Sequence, residues 1–298
     1  MELRQLKTFR TVATLLSFNR AADILNYAQS TVSAQIRGLE DDLGVRLFDR
    51  LGKRIVLTEA GELLAQYAQK MLDIEAETLA EVRNRKQPHG SLTIRMPQTV
   101  GMYYLPTILS RFQRQFPRVG FHFHQCAFHN LEHELQTGTT DLGFLLAESI
   151  TSPNLVAEPL RFEPLVLAAN PDNVLAGRPH ISLHDLEDQP LFLALADCGY
   201  RMMFERVLAE NRVEPQTILE FSSIECMKES VKAGRGVTIL PEIAVRGEIE
   251  QGTLVQLPLM DEPLESAVLM IWHKDKWMSP TLRAFMDEAR AVMGAGIR

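Results

Sequence analysis

Short polar side chains follow one side of a predicted helix between residues 29 and 37. Ser30, Ser33 and Arg37 stand opposite the apolar stripe that contains Val32 and Ile36, so they point outward. Serine is short enough to let a helix backbone approach another surface, and arginine can reach a phosphate or the edge of a guanine. The pattern favours a helix that lies in the major groove of DNA. The alternative is a three-helix subdomain whose charged face contacts only water.

A basic hairpin is predicted directly after this helix. In the sequence "VRLFDRLGKRIVLT", two strand-like runs flank Leu51-Gly52-Lys53. Arg50, Lys53 and Arg54 would lie at the tip of the hairpin, where they suit phosphate contacts or the minor groove. The hairpin would therefore act as a wing beside a helix-turn-helix.

Histidine and cysteine side chains alternate along a later predicted strand, as metal ligands sometimes do. His122, His124 and Cys126 share one face of that strand, and His129 and His133 follow at helical spacing. Imidazole and thiolate groups hold zinc or copper in proteins. However, the phenylalanines between them claim the core face, and no closed pattern of four ligands is present in the sequence. We therefore expect polar residues of an edge strand and no metal.

The three cysteines, Cys126, Cys198 and Cys226, form no C-x-x-C pair and are too scattered for a disulfide framework. Cys198 precedes a predicted helix, whose N-terminus could lower the pKa of the thiol and make it a redox sensor. No second cysteine lies within ten residues of Cys198, so we expect a buried structural thiol. The glycines of "AGRGVTILP" precede a strand, which indicates a tight turn and not a dinucleotide-binding motif.

The chain as a whole has the composition of a globular protein, with 298 residues of which 46% are hydrophobic and 23% charged. It has no apolar run near the roughly 20 residues of a membrane span, and its N-terminus does not resemble a signal peptide. We therefore expect a cytoplasmic protein with no membrane partner. The net charge of −7 combines an excess of three positive charges in residues 1–58 with an excess of ten negative charges after them. A basic head on an acidic body is compatible with DNA binding.

Three helices must position the polar face. Helical periodicity predicts them over residues 3–16, 20–25 and 29–43, with Asn19 as the N-cap of the second and Gly44 ending the third. The short turn between the second and third helices is typical of a helix-turn-helix.

A long helix and an α/β region follow. Residues 58–85 carry an approximate heptad stripe that must be buried against another surface, with Thr58 as the N-cap, and residues 85–90 predict a hinge. From Ser91 onward strands and helices alternate, which predicts parallel sheets with crossover helices. The strand near residues 266–273 and the terminal helix would return to the first sheet, so two lobes would enclose a cleft.

The sequence "FRTVATLLSFNRAADILNYAQSTVSAQIRGLEDDLGVRLFDRLGKRIVLTEAG" resembles the signature of LysR-type transcriptional regulators, without gaps from Leu3 to Gly61. The resemblance continues more loosely to the C-terminus. It implies an α/β protein with an N-terminal winged helix-turn-helix, a linker helix and a C-terminal two-lobed α/β effector domain of the type 2 periplasmic-binding-protein fold. The expected domains are residues 1–58, 59–90 and 91–298, with lobe I at about 91–162 and 268–298 and lobe II at about 163–267.

The same resemblance implies the DNA contacts. The recognition helix would use Gln29, Ser30, Thr31, Ser33, Gln35 and Arg37, and the wing would use Arg50, Lys53 and Arg54. One departure is Ala28, where many members of the family carry a serine that caps the recognition helix. Either Ser30 takes over as the cap, or the first turn is frayed until DNA binds.

Ligands of such two-lobed folds sit at the carboxyl ends of strands, where helix N-termini offer amide donors to anions. The residues at these positions are Gln98, Thr99, Cys126, Phe128, Cys198, Gly199, Tyr200, Arg201, Ser222, Ser223 and Ile224. They resemble the family's effector contacts by position and identify no ligand. Hydroxyls and helix termini are compatible with a small carboxylate.

We therefore expect a transcriptional regulator whose promoter binding responds to a small-molecule effector. The expected partners are double-stranded DNA and further copies of the chain, as a dimer or tetramer by resemblance, with RNA polymerase as a further candidate. The sequence contains no G-x-S-x-G, H-E-x-x-H or P-loop motif, so an enzyme is not expected, and no cofactor is implied. The rival hypothesis is a solute-binding protein, which residues 91–298 alone would suit; the missing export signal and the helix-turn-helix oppose it.

Overall fold

Three helices and a two-stranded hairpin form the N-terminal unit of the computed structural model, which describes residues 1–51, 54–82, 88–125, 128–234, 236–259 and 264–294. The elements are α1 (Leu3–Leu15), α2 (Phe18–Leu25), α3 (Gln29–Leu43), β1 (Phe48–Leu51) and β2 (Arg54–Leu57). β1 and β2 pair antiparallel, with Arg50 opposite Ile55. The predicted helix-turn-helix and hairpin are both present.

Local signals explain where these helices begin and end. Ser17 is the N-cap of α2, because its Oγ accepts a hydrogen bond from the backbone N–H of Arg20. The prediction of Asn19 as the cap is therefore wrong, since the serine two residues earlier takes that role. α2 ends at Asn26 with φ of +53°, and α3 ends at the predicted Gly44 with φ of +71°.

One small core holds α1, α2 and α3 together. Phe9 and Val12 of α1 pack with Val32, Ile36 and Leu39 of α3, and all five side chains are buried. Each such side chain contributes roughly 1.5–3 kcal/mol when it leaves water. This burial fixes which side of α3 faces inward and leaves the opposite side to solvent.

α4 (Glu59–Val82) is the predicted long helix, and Thr58 is its N-cap because its Oγ1 accepts from the N–H of Gly61. One side of α4 packs on the N-terminal unit through Ala65, Ala68 and Leu72. The predicted heptad stripe is thus divided. Ala68 is buried within the chain, whereas Met71 and Leu79 are exposed to solvent. The exposed apolar side chains of α4 are Leu63, Tyr67, Met71, Ile74 and Leu79.

Two lobes with alternating strands and helices make up the rest of the chain. The first contains β3 (Ser91–Met96), α5 (Gln98–Tyr103), α6 (Leu105–Gln115), β4 (Gly120–Gln125), α7 (Phe128–Thr137) and β5 (Leu142–Ala147). The second contains β7 (Pro190–Ala194), α8 (Gly199–Glu210), β8 (Thr217–Phe221), α9 (Ile224–Ala233), β9 (Val237–Pro241), α10 (Glu242–Glu250) and β10 (Val255–Leu257). The connecting elements are β6 (Leu155–Ala169) and β11 (Leu264–His273), and α11 (Pro280–Met293) returns to the first lobe.

The described strands of both lobes form one continuous sheet in the order β4-β3-β5-β11-β6-β9-β7-β8, with β10 beside β6. β3 runs parallel to β4 and β5 in the first lobe, and β7 runs parallel to β8 and β9 in the second. β6 and β11 are antiparallel and cross between the lobes, and their register shifts between Val268 and Leu269. The predicted α/β architecture with crossing strands is confirmed.

Two helices, α5 and α6, follow β3, because the chain bends at Tyr104 before Pro106. α10 and β10 were not predicted. Among the described residues, no helix is both long and apolar enough to cross a membrane.

Candidate functional site: a recognition helix and an interlobe cleft

The outward face of α3 carries the polar residues that the sequence singled out. Gln29, Ser30, Thr31 and Arg37 are exposed, and Ser33 is half-buried. The methyl side chain of Ala28, the N-cap residue of α3, has no oxygen to accept a bond from the first turn. Instead, Nε2 of Gln29 donates to Oγ of Ser33 at 2.8 Å, which links the first two turns along the exposed side.

Gln35 does not share this face. Its side chain is half-buried, and its Oε1 accepts a hydrogen bond from Oγ1 of the buried Thr8 in α1 at 2.5 Å. The role of Gln35 as a DNA contact, which the family resemblance implies, remains a prediction, and its Oε1 is engaged by α1 in this structure. The side chain joins the recognition helix to α1, because a partner on α1 captures its amide.

The hairpin next to α3 has the predicted strand pairing, but its basic tip is less fully described. Lys53 lies outside the described residues, and so do the side chains of Arg50 and Arg54. The backbone pairs Arg54 with Leu51 across the hairpin. The assignment of these three cations to a wing thus remains a prediction.

A cavity of about 60 Å³ lies between the two lobes, at the carboxyl ends of their parallel strands. This volume holds a few water molecules or a ligand of a few heavy atoms. Seven of the predicted effector residues line it: Gln98, Thr99, Cys198, Gly199, Tyr200, Ser222 and Ile224. Further lining residues that the sequence reasoning missed are Pro97, Gln125, Leu145, Leu146, Ala194, Leu195, Asp197, Phe221 and Met227.

Two hydroxyls of the cavity wall are buried without an oxygen or nitrogen partner in the part of the chain that the structure describes. Thr99 is 1% exposed and Tyr200 is 2% exposed, and neither hydroxyl finds an oxygen or nitrogen partner among the described residues. The thiol of Cys198 lies beside the Tyr200 hydroxyl. A buried hydroxyl without a partner is unfavourable, by about 1–3 kcal/mol. A ligand that accepts hydrogen bonds from both would relieve this cost.

The cavity wall also joins the lobes through backbone groups. Oε1 of Gln98, in the first lobe, accepts from the N–H of Ile224 at the start of α9 at 2.7 Å. Gly199 begins α8 against the first lobe, since a Cβ there would lie 2.1 Å from the carbonyl oxygen of Leu146. The N-termini of α8 and α9 therefore both face the cleft, and the positive ends of helix dipoles favour an anion.

Two predicted effector residues do not line the cavity. Arg201 donates to Glu205 at 2.8 Å, to Glu220 at 3.1 Å and to the carbonyl of Ala194, and its side chain is 5% exposed. Burial lowers the pKa of the guanidinium, and the two carboxylates raise it above its usual value. Arg201 is thus committed to fixing the end of β7 and is not free for an anion.

Ser223 is the second of these, because its Oγ caps α9 by accepting from the N–H of Cys226. Its oxygen serves the helix as an acceptor, and Ser223 is not among the residues that line the cavity. Cys126, predicted in the same set, lies outside the described residues, and so does the side chain of Phe128.

The cysteine and histidine side chains show no sign of a reactive or metal centre within the described residues. Burial raises the pKa of the Cys198 thiol to about 11, and the amides of Tyr200 and Arg201 lower it only in part. His122 and His124 are exposed on β4, at the edge of the sheet. Across the described residues, no group of three histidine, cysteine or acidic side chains is placed to hold a metal ion.

A buried lysine fastens the lobes on the side of the cleft formed by α5. Nζ of Lys228 lies 2.8 Å from Glu225, 2.8 Å from Glu248 and 3.3 Å from the hydroxyl of Tyr103 in the first lobe. Tyr103 in turn donates to the carbonyl of Ala244 in the second lobe. Burial lowers the pKa of Lys228, but the bonds to both carboxylates and to Tyr103 raise it above its usual value overall.

Comparison with known proteins matches two family models to the chain. The model "LysR substrate binding domain" matches residues 85–294, and "Bacterial regulatory helix-turn-helix protein, lysR family" matches residues 3–62. An uncharacterised HTH-type transcriptional regulator, YwqM of Bacillus subtilis, is 37% identical over 292 residues, covering 97% of this chain and 99% of its own. The RuBisCO operon transcriptional regulator of Acidithiobacillus ferrooxidans is 32% identical over 295 residues, with coverages of 99% and 95%.

Among solved structures, full-length OxyR from Pseudomonas aeruginosa matches with a TM-score of 0.79 and 26% identity, covering 98% of this chain and 95% of the OxyR chain. Full-length LysG from Corynebacterium glutamicum with bound effector arginine matches with a TM-score of 0.65 and 20% identity over the whole of both chains, and this likeness concerns the fold alone.

Proposed function

We propose that this chain, which belongs to the LysR family of bacterial transcriptional regulators, reads its promoter with the exposed face of α3 and changes its grip when a small carboxylate binds in the interlobe cleft. As a member of that family it is a DNA-binding regulator with an effector-binding domain, and it is not an enzyme. The residues, the class of effector and the oligomer are the proposed parts.

The exposed face of α3 supports the DNA-reading part of the proposal. Gln29, Ser30, Thr31, Ser33 and Arg37 lie on one side of a helix that begins right after the helix-turn-helix turn. Glutamine can bond both N6 and N7 on the major-groove edge of an adenine, and arginine can bond guanine or phosphate. In this proposal the Gln29–Ser33 hydrogen bond is exchanged for bonds to base edges when DNA binds.

Substitution of this face tests the assignment. We expect Ser33→Ala and Gln29→Ala to weaken binding to a duplex enriched from random DNA by the wild-type protein, by about 1–3 kcal/mol for each lost base contact. Fluorescence anisotropy measures the affinity. Ser230→Ala, which changes an exposed serine on α9, is the matched control. Equal affinities for all variants would refute the groove assignment.

The salt dependence of DNA binding tests whether the positively charged side chains of residues 1–58 contribute much of the affinity. Each phosphate contact contributes about −0.9 to the slope of log affinity against log salt concentration. With Arg37 and the wing cations engaged, the affinity should fall steeply between low and physiological salt. A flat profile would contradict the proposed mode of binding.

The effector part rests on one observation: Thr99 and Tyr200 line the small cavity, and their buried hydroxyls have no oxygen or nitrogen partner among the described residues. Hydroxyl donors and two helix N-termini suit a carboxylate. Asp197 also lines the cavity, and its negative charge disfavours an effector with several negative charges. A monocarboxylate of a few heavy atoms fits these groups best.

Thermal unfolding of the full chain tests the effector class. Acetate, lactate, pyruvate and succinate are compared with the amides of the same acids, which have the same shape without the charge. A carboxylate at a hundred times its Kd should raise Tm by about 5–10 °C. Thr99→Val should abolish the rise, whereas Ser266→Ala, which also removes a buried hydroxyl without a described partner, should keep it. No rise with any carboxylate would reject this class.

Self-association and location complete the proposal. The exposed apolar side of α4 would be covered by α4 of a second copy, which matches the two-fold symmetry of operators read by helix-turn-helix dimers. A tetramer would form from two such dimers, and the regulator would act in the cytoplasm on promoter DNA, with RNA polymerase as a candidate partner. Sedimentation of the full chain would show a monomer if this part is wrong.

A further inference from the structure

A network of polar side chains runs from the DNA-binding unit into the first lobe. It begins in α1, where Nη1 of Arg10 donates to Oε1 of Gln69 in α4 at 2.5 Å. Nε2 of Gln69 donates to Oδ1 of Asp73, one turn further along α4, at 2.6 Å. The first bond joins α4 to α1, the helix that packs against α3, and the second fixes the amide of Gln69 within α4.

The network then continues from α4 into the first lobe. Oδ2 of Asp73 lies 3.8 Å from Nζ of Lys276, in the turn after β11. The same Nζ donates to Oδ1 of Asp141, at the start of β5, at 2.8 Å. Two hydrogen bonds hold Asp141 to one residue of β3, because its Oδ2 accepts from the N–H of Thr93 and its own N–H donates to the carbonyl of Thr93, each at 2.8 Å.

The burial of these groups makes the geometry specific. Only 7% of the Lys276 side chain and 6% of Gln69 are exposed, while the carboxylates of Asp73 and Asp141 retain 18% and 22%. Burial raises the pKa of Asp73, and the charge of Lys276 lowers it in part. Each buried group depends on its neighbour, since an unpaired polar group in this environment is unfavourable.

Close packing holds the linker helix and the first lobe together at the same place. Gly138, in the turn after α7, has φ of +68°, and a Cβ there would lie 2.1 Å from Cγ of Gln69. Only glycine allows this approach without a shift of one side against the other. Gln69 therefore contacts the first lobe directly and also bonds to Asp73.

Both ends of the network lie next to elements that carry the proposed functional residues. β3 runs from Thr93 directly to Gln98 and Thr99 in the cavity wall. On the other side, α1 carries Thr8, whose hydroxyl bonds Gln35 in the recognition helix. Rigid elements thus connect the two ends of the polar network to the cleft and to α3.

We infer that Lys276, Asp73 and Gln69 are positioning residues that couple the cleft to the recognition helix, by fixing β3 against α4 and α4 against α1. A displacement of β3 when the cleft is filled would shift Asp141 and, through Lys276, the linker helix. By linkage, DNA bound to α3 changes the affinity of the cleft for its effector by the same factor as the effector changes the affinity for DNA. The inference rests on the proposed roles of α3 and the cleft.

Hydrogen–deuterium exchange on the full chain tests this coupling without an identified effector. The probe is the duplex enriched from random DNA by the wild-type protein, and the readout is exchange in peptides that cover Thr93 to Tyr103. In the wild-type protein, we expect DNA to slow this exchange by about fivefold or more. In Lys276→Met, the effect of DNA should fall to less than half, although the duplex still binds.

The matched control is Lys70→Met, which removes another lysine from the same junction. Nζ of Lys70 lies 3.9 Å from Oδ2 of Asp275, and both side chains are about half exposed, so this ion pair holds the junction only weakly. Lys70→Met should keep the full effect of DNA. If Lys276→Met does not fold, Gln69→Met is used instead, because it interrupts the network of polar side chains without removing a charge. In this variant too, DNA should no longer slow the exchange. An effect of DNA that is absent in the wild type, or equal in Lys276→Met and wild type, would overturn the inference. Failure to enrich any duplex would count against the proposed function instead.

Discussion

Gly199→Ala is a direct test of how the second lobe closes on the first. Gly199 begins α8 in one lobe, and Leu146 is the second-last residue of the buried strand β5 in the other. A Cβ at Gly199 would lie 2.1 Å from that carbonyl oxygen and 3.1 Å from Cβ of Ala147. Neither neighbour can rotate away, because one is backbone and the other is a methyl group on a central strand.

The size of the effect follows from these distances. Side-chain carbons approach carbonyl oxygens to no less than about 3.2 Å, so the start of α8 must retreat by about 1 Å. Overpacking of this kind costs about 1–3 kcal/mol. The same retreat widens the cavity between the Tyr200 hydroxyl and Thr99, so a carboxylate that spans both should bind less tightly.

Urea unfolding of the full chain, followed by tryptophan fluorescence, measures the first effect, and the carboxylate-induced rise in Tm measures the second. We expect a free energy of unfolding lower by about 2 kcal/mol and a smaller rise. Gly177→Ala is the control, because a Cβ there meets nothing within 4 Å. Stability and Tm response equal to wild type in Gly199→Ala would mean that the lobes do not meet at this residue as described.

Three further predictions concern the thiols, the lysine between the lobes and the linker helix. With a pKa of about 11, Cys198 is about 0.1% thiolate at pH 8, so iodoacetamide should modify the exposed Cys226 first; faster modification of Cys198 would restore the redox-sensor hypothesis. Lys228→Met should lower the free energy of unfolding by about 3 kcal/mol because the Glu248 carboxylate, which is only 15% exposed, loses the cation nearest to it, whereas Tyr103→Phe should lower it by about 1 kcal/mol; equal losses in urea unfolding would contradict this. Ile74→Glu on the exposed side of α4 should shift sedimentation toward the monomer, and an unchanged dimer would place the self-contact elsewhere.

The architecture was predictable because its signals are local. The stripe of Val32, Ile36 and Leu39 has the period of a helix, and the alternation of strands and helices after Ser91 indicates crossover connections without knowledge of distant contacts. α10 was missed because it follows β9 with no loop between them and contains Gly247, so neither a start signal nor a strong helical propensity marked it. The site residues that begin helices were found for the same reason, since strand ends can be located from the sequence.

The direction of a polar side chain was not predictable, because it depends on partners far away in the sequence. Arg201 was assigned to the effector by its position after β7, but Glu220 on the neighbouring strand and Glu205 on the next helical turn hold its guanidinium. Gln35 was assigned to DNA by its place in the recognition helix, and Thr8 of α1 turns it inward. A sequence pattern identifies the face of an element, whereas these partners decide which residues on that face are free.

Polar side chains join the main units of the molecule. Gln35 with Thr8 joins α3 to α1, Gln98 with Ile224 joins the two lobes, and Lys276 joins the first lobe to α4. An apolar contact of the same area would be insensitive to small rotations, whereas a hydrogen bond weakens steeply when its angle or length changes. Each joint is therefore stable in one arrangement and weak in intermediate ones. Elements connected in this way move as units between discrete arrangements, which is what a regulator needs if a ligand of a few atoms is to change its grip on DNA.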